Sequence, residues 1–318
     1  MRDVEVDEAA RLLAQGQLVA FPTETVYGLG ADALAPAAVA QIFAAKGRPS
    51  GHPLIVHLAE VSDLSRWVRE FPPAARRMAD VLWPGPLTLI LRRSASVPDA
   101  VTGGLDTVGI RVPSHPIAQA LLRAFGSGIA APSANLFGGV SPTTAEHVRR
   151  DLAGRVDALV DGGPCSVGLE STIVDVSTGL PTLLRPGGVP REEIEALLGA
   201  PLADPGADAP RAPGMLASHY APRARVVAVS AQDAARTASE LVARGERVAI
   251  MAELDAAPAG AALRAMPTGE LEQARTLYAS LRAIADEGFD VVVVALPPER
   301  GLGRAIADRI RRAAAPRS

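Results

Sequence analysis

At 318 residues the chain exceeds the ~100–200 residues of a typical domain, so two domains are expected, each able to bury a core. A hydrophobic content of 48%, with 21% charged residues and a net charge of -3, is that of a soluble globular protein and excludes a general nucleic-acid or membrane-surface binder; any RNA contact must be local. One cysteine, Cys165, excludes a disulfide framework and a four-cysteine zinc module and reads as an inert thiol, while MRDVEVDEAA lacks an apolar h-region and no run reaches ~18 apolar residues, which predicts a cytosolic protein with no membrane contact.

Residues 7–15, DEAARLLAQ, read as an amphipathic helix stopped by Gly16, and LVAF at 18–21 as a buried strand. The stretch FPTETVYGLG at 21–30 follows and reads as a strand end and a turn. Pro36 opens the helix PAAVAQIFAA, whose end carries Lys46 and the Gly47 stop; PLIVHL at 53–58 is the next strand, so Lys46, Arg48 and His52 lie in a helix-to-strand loop. Helical segments at 61–70 and 73–82 lead through WPGP to the strands LTLILR and, at 107–112, TVGIRV. A helix over 114–125 precedes IAAPSAN, and Thr143 with Glu146 has capping-box spacing for a helix near 144–151. ALVDGG, STIVDV and TLLR give three short strands, and Pro190 opens the helix REEIEALLG. Residues 200–214, APLADPGADAPRAPG, lack periodicity and mark a linker. Beyond it RVVAVS, a helix over 231–243, RVAIMA, a helix over 269–286, DVVVVAL and a helix over 302–313 alternate as in a small parallel doubly wound sheet. The predicted division is 1–198, a linker over 199–222, and a C-terminal domain over 223–318.

Two residues stand out by scarcity. Lys46 is the only lysine beside 31 arginines, and Asn135 is the only asparagine. A composition dominated by Ala, Arg, Gly and Pro points to a coding bias that has drained both types from positions where a substitute would serve. Ammonium is a compact mobile charge and guanidinium a rigid fork, and a solvated surface accepts either. The survivors are therefore expected where no substitute works.

The familiar motifs fail their context tests. Walker A is excluded because Lys46 is followed by Gly47 rather than Ser or Thr. GLGADA at 28–33 has Lys46 and Arg48 rather than an acid some twenty residues on, and GLGRAI at 301–306 leaves no room for one, so the latter reads as a helix N-terminal turn. The five histidines, 52, 57, 115, 147 and 219, show no H-E-x-x-H spacing, and GLEST around Ser171 is not a nucleophile elbow. What remains is a set of polar residues at strand ends and in adjoining loops: Thr23, Thr25, Lys46, Arg48, His57, Arg111, Ser133, Asn135, Ser141, Ser171 and Arg185. Four carry fixed positive charge with no acidic neighbour beside them in the chain, a composition suited to a polyanion such as a nucleoside triphosphate.

The stretches FPTETVYGLG, KGRPSGHPLIVH, WPGPLTLIL, VGIRVPSHP, APSANLFGGVSPT, DGGPCSVGLESTIVD and LLRPG run from about residue 5 to 195, and RAPGMLASHYAP follows at 211–222. Together they resemble the threonylcarbamoyl-AMP synthases, the YrdC-like family, in the long two-domain form. The family signature K-x-R followed by S-x-N falls on Lys46, Arg48, Ser133 and Asn135, and so contains both scarce residues.

The resemblance implies a YrdC-like twisted mixed α/β sheet with flanking helices and a concave basic face, followed by a Rossmann-like parallel C-terminal domain. It implies that L-threonine, bicarbonate and ATP are joined into threonylcarbamoyl-adenylate and pyrophosphate, a nucleotidyltransferase reaction, with a downstream transferase modifying an adenosine beside the tRNA anticodon. By the same resemblance Arg111 forks the threonine carboxylate, with Thr25, His57, the Ala131 backbone and Ser171 completing that pocket. Lys46 and Arg48 meet the phosphates as the catalytic cations, His52, Thr107, Ser133, Asn135, Ser141 and Arg185 hold the nucleotide, and Tyr220 of the Ser218-His219-Tyr220 group closes over the ATP. Mg2+ is expected with the triphosphate, without assignable protein ligands, and no tightly bound organic cofactor is implied. Two positions depart from the pattern: His52 stands where many relatives have Asn, and Ala212 where Ser is common. A weak contact with tRNA or double-stranded RNA is compatible with this reading, and two other readings stay open, a carbamoyl-transfer module of the hydrogenase-maturation type, whose zinc-finger cysteines this chain lacks, and a non-catalytic RNA-binding protein using the concave basic face.

Overall fold

The computed structural model of the protein describes residues 1–206, 210–214 and 219–316. Two compact units form, Met1–Phe137 with Ser141–Met215, and Gly138–Val140 with Leu216–Ser318.

The strands of the first unit are β1 (Arg2–Asp3), β2 (Val19–Phe21), β3 (Gly28–Asp32), β4 (Ile55–His57), β5 (Leu87–Arg92), β6 (Thr107–Arg111), β7 (Ile129–Ala130), β8 (Ala158–Leu159), β9 (Thr172–Asp175) and β10 (Thr182–Arg185). They form one mixed sheet in the order β1-β8-β2-β3-β7-β4-β6-β5-β9-β10. The helices are α1 (Val6–Ala14), α2 (Pro36–Lys46), α3 (Pro73–Leu82), α4 (Asp99–Thr102), α5 (Pro116–Phe125), α6 (Ala145–Leu152) and α7 (Arg191–Leu198). Helix α2 shows how local chemistry sets a boundary. Pro36 occupies the first turn, where its missing N–H costs nothing, and Gly47 ends the helix at φ 61°, where its N–H and that of Arg48 reach back to the Ala44 and Phe43 carbonyls. Lys46 is thereby fixed as the last helical residue.

Alternation along the central strands separates two faces. Val56, Leu87, Leu89, Leu91, Val108, Ile110 and Val174 join the main core cluster. The opposite face carries Ile55 and His57, Thr88 and Ile90, Thr107 and Arg111, and Ser171 and Ile173, and so holds His57, Arg111 and Ser171 of the polar set. On β10 a register irregularity between Leu183 and Arg185 brings Arg185 opposite Ile173. That bulge, rather than strict alternation, turns the guanidinium onto the polar face.

Several sequence expectations are corrected. GLGAD is a strand, not a turn: β3 pairs antiparallel with β2, and its glycines serve packing. A Cβ at Gly30 would stand 2.8 Å from Ile129 Cγ2 and 2.9 Å from Phe21 Cε1. The helix expected over 61–70 is a 3-10 helix, Val61–Arg66. Thr144, not Thr143, caps α6, accepting from the His147 N–H at 3.3 Å. The stretch expected as a linker over 200–214 is partly structured: Leu202 is buried, Leu183 N–H donates to the Ala203 carbonyl at 2.9 Å, and Ala212 packs with Ile55, Ile90, Ile173 and Leu184. Ala212, one of the two departures from the family pattern, therefore fills an apolar position.

The second unit is an all-parallel sheet of β11 (Arg225–Val229), β12 (Val248–Ala252), β13 (Ala261–Ala265) and β14 (Val291–Ala295) in the order β11-β14-β12-β13, with helices α8 (Ala234–Ala243), α9 (Glu270–Asp286) and α10 (Gly303–Ala314). The Val291–Val294 run is fully buried, as expected for a parallel strand covered on both faces. GLGRAI forms the first turn of α10, where Leu302 N–H donates to Glu270 Oε2 at 2.8 Å. Strand β13 was not expected; AALRA lacks the β-branched residues that mark the other strands.

Candidate active site

The two scarce residues touch. Lys46 Nζ donates to the Ser133 carbonyl at 2.5 Å and the Asn135 carbonyl at 2.6 Å, with Asn135 Oδ1 at 3.5 Å. Three convergent acceptors suit an ammonium, which can turn a donor toward each; a planar fork cannot. Asn135 holds its loop by donating from Nδ2 to the Leu136 carbonyl at 2.9 Å, and Phe137 N–H closes the arrangement on the Lys46 carbonyl at 2.9 Å. Lys46 is buried, and burial first, then the neighbouring Arg48 charge, lowers its pKa well below the ordinary lysine value.

Arg48 extends the cationic group. Its Nη2 donates to the Pro53 carbonyl at 3.2 Å, and its guanidinium lies 5.9 and 6.0 Å from the Phe43 and Phe137 ring centres. His52 sits 5.9 Å from the Phe137 ring; partial burial, Arg48 and Arg211 lower its pKa. Arg211 was given no role from sequence, yet its charge acts on the same locality. A polyanion would relieve these mutual repulsions.

A second group surrounds Arg111. Thr23 Oγ1 donates to the Val26 carbonyl at 2.6 Å and accepts from the N–H groups of Thr25 and Val26, each at 3.2 Å, which fixes the loop after β2 as a hydroxyl-stabilised turn. The two threonine hydroxyls lie 2.8 Å apart, within hydrogen-bond distance. Thr25 Oγ1 in turn accepts from Arg111 Nη1 at 2.8 Å, while Arg111 Nε donates to the Gly85 carbonyl at 3.3 Å. Two of the guanidinium nitrogens are spent on orienting it. The third, Nη2, lies 2.7 Å from Glu24 Oε1 as an ion pair whose alignment is not that of a hydrogen bond. The lack of acids beside these cations in the chain does not extend to space. Glu24 is separated from Arg111 along the chain, and Ser141 Oγ likewise donates to Glu170 Oε1 at 2.6 Å.

His57 adjoins Arg111 in the β4–β6 register and meets the Phe21 ring edge-on at 6.2 Å. Burial and then the Arg111 charge lower its pKa to about 3, so the imidazole is neutral, and its Nδ1 has no hydrogen-bond partner among the described residues. Ser171 Oγ shares a 2.8 Å hydrogen bond with Thr88 Oγ1. Arg185 reaches it from β10, with Nη2 donating to the Ser171 carbonyl at 2.8 Å and to Ser171 Oγ at 3.2 Å, and Nη1 to the Pro213 carbonyl at 2.8 Å. The Ala131 N–H is engaged by the Ile55 carbonyl at 2.9 Å.

Of the residues singled out from sequence, Thr23, Thr25, His57 and Arg111 are brought together, as are Lys46, Arg48, His52, Ser133 and Asn135, and Ser171 with Arg185. Thr107 shares the face of Arg111 but begins the strand that Arg111 ends, roughly 13 Å away, and makes no side-chain hydrogen bond among the described residues. Tyr220 belongs to the second unit, its ring buried against Tyr278 at 5.7 Å and the Arg309 guanidinium at 5.1 Å, with an uncommon φ of 64°. Ser218 lies outside the described residues. The acids Glu24 and Glu170 were missed; an acid between two threonines in a strand-end loop was the available signal.

Comparison with known proteins identifies the family of the chain. A family model described as "Telomere recombination", covering Sua5, YciO and YrdC, matches residues 11–187, and one described as "Threonylcarbamoyl-AMP synthase, C-terminal domain" matches residues 189–315. The chain is 44% identical to a threonylcarbamoyl-AMP synthase of Pyrococcus abyssi over 96% of its own length and 92% of the relative's. It is 43% identical to one of Bacillus subtilis over 98% and 93%. The crystal structure of P. abyssi Sua5 complexed with L-threonine superposes with a TM-score of 0.92 at 41% identity, covering 97% of this chain and 94% of that one. With a family model over each half and relatives of its own length above two-fifths identity, the chain belongs to the threonylcarbamoyl-AMP synthases.

Proposed function

We propose that the chain joins L-threonine, bicarbonate and ATP into L-threonylcarbamoyl-AMP and pyrophosphate, supplying an adenylate that a separate transferase uses to modify tRNA. The observation that carries this reading is the presence in one unit of two groups: an arginine oriented by Thr25 and Gly85, whose Nη2 faces Glu24 without a hydrogen bond, and the neighbouring Lys46, Arg48 and His52. In this reading the amino acid's carboxylate takes Nη2 of Arg111, with Thr25, His57, Ala131 and Ser171 forming the rest of the pocket. The amine and bicarbonate give a carbamate, whose oxygen attacks the α-phosphorus of ATP and displaces pyrophosphate. No side chain need form a covalent bond, so the protein's contribution is alignment and charge neutralisation.

Lys46, Arg48 and Arg185, with Ser133, Asn135, Ser141, His52 and Thr107, are the groups assigned to the nucleotide. Mg2+ enters as part of the MgATP substrate. Among the described residues no three His, Cys, Asp or Glu side chains cluster as metal ligands, so the triphosphate oxygens would supply most of its coordination. Closure by Tyr220 would require its ring to leave Tyr278 and Arg309. Among the described residues no helix is long and apolar enough to cross a membrane.

The deciding assay measures pyrophosphate release from MgATP with threonine and bicarbonate each omitted in turn. Dependence on both is expected; equal release without threonine overturns the reading. The same assay separates it from an RNA-binding role, which predicts salt-sensitive RNA affinity and no threonine-dependent turnover.

A further inference from the structure

We infer that Glu24 receives the ammonium of the amino-acid substrate and takes a proton from it, so that the pocket reads a zwitterion with an anion and a cation side by side. The inference rests on the threonine reading above and adds a group that it leaves out.

Glu24 is 4% exposed, yet neither of its carboxylate oxygens has a hydrogen-bond partner among the described residues. Arg111 Nη2, 2.7 Å from Oε1, lacks one as well. Burying such groups without hydrogen bonds is costly, and a polar cluster left incomplete in this way points to a missing component. A component that carries both signs would meet both groups at once. An anion alone would satisfy Arg111 but repel Glu24, and a cation alone would do the reverse. An α-amino acid bears carboxylate and ammonium on one carbon and completes both.

The chemistry asks for the same group. A protonated amine has no lone pair with which to attack bicarbonate, so a base must stand at the ammonium. The titratable and charged groups facing Glu24 do not supply one. Arg111, at the end of β6, is a permanent cation. His115, before α5, spends Nδ1 accepting from the Ile117 N–H at 3.2 Å. The Cys165 thiol, in the loop after β8, is pushed up to about 12 by burial and by Glu24. His57, next to Arg111, has lost most of its basicity.

The step balances. One proton passes from the ammonium to the Glu24 carboxylate; the freed nitrogen pair forms the N–C bond with bicarbonate. The C–OH bond breaks, and a second nitrogen proton joins the departing hydroxide as water, leaving the carbamate. The proton on Glu24 leaves with the pyrophosphate released later.

The test compares binding of L-threonine with that of its analogue bearing hydroxyl in place of the amine, and follows threonine-dependent turnover from pH 7 to 9.5. Wild type is expected to prefer threonine by about 10- to 100-fold, and Glu24→Gln to abolish the preference. Glu24→Gln should also lower kcat by roughly 10²–10⁴-fold at pH 7, with the deficit shrinking as pH approaches the pKa of the free amine. Should Glu24→Gln fail to fold, Glu24→Asp carries the test: the preference stays while turnover falls at least ~10-fold, and unchanged turnover overturns the inference. Equal binding of both ligands to wild type also overturns it, as does a folded Glu24→Gln that keeps the preference with a pH-independent loss, the behaviour of a mere counter-charge. If wild type turns over without threonine, the functional reading itself has failed; if only the preference is missing, the Glu24 assignment falls alone.

Discussion

Replacing Lys46 by arginine keeps the charge and should nonetheless disable the protein. Two carbonyl oxygens already stand at 2.5 and 2.6 Å from Nζ in a buried site, so the broader guanidinium cannot occupy the same point. Overpacking of this kind costs about 1–3 kcal/mol. A charged hydrogen bond lost to either carbonyl adds about 1.5–3 kcal/mol. A net destabilisation of about 3 kcal/mol is expected, less than a typical total of ~5–15 kcal/mol, so the variant folds with its Tm lowered by roughly 6–12 °C. Displacing the 133–137 loop by even ~1 Å should reduce kcat by about 10²-fold. Calorimetric melting together with pyrophosphate release at saturating threonine and varied ATP measures both effects. A Tm within ~2 °C of wild type with turnover within about twofold would refute the claim that this position requires an ammonium.

His57 predicts a pH dependence of stability. Its pKa falls from 6.5 unfolded to about 3 folded, so below pH 6.5 the unfolded chain binds a proton that the folded chain refuses. The stabilisation is complete above that pH and is lost as pH falls toward 3. This contributes about 2 kcal/mol between pH 7 and pH 5, and His57→Gln should remove that component from urea-melt profiles; an unchanged acid limb would contradict the assignment. Gly30→Ala should destabilise by about 1–3 kcal/mol in the same melts, because its Cβ would press on Ile129 and Phe21, and a change below ~0.5 kcal/mol would show that β2, β3 and β7 can separate freely.

Much of the fold was legible because the signals were local. Pro36 and Gly47 bracket α2, the buried Val291–Val294 run marks a parallel strand, and alternation in TVGIR separates Thr107 and Arg111 from Val108 and Ile110. Misreadings arose where a residue serves a distant partner. Gly28 and Gly30 suggested a turn, whereas they make room for Phe21 from the adjacent strand. The direction of Arg185 depends on a bulge that no spacing in TLLR announces. The scarcity of Lys46 and Asn135 singled both out, though not that they contact each other. Glu24 escaped notice because acidity was sought next to the cations in the chain, while its partner Arg111 arrives from β6.

Cys165 has a practical consequence. Its thiol is buried, and with its pKa pushed up to about 12 hardly any thiolate exists at neutral pH to react with a maleimide or an oxidant. The natural chain is therefore a nearly silent background for chemical labelling. A pair of cysteines placed on exposed helical positions, one in each unit, would carry a donor and an acceptor dye without first engineering the native thiol away. The separation between the two units could then be followed in real time as threonine and MgATP are added.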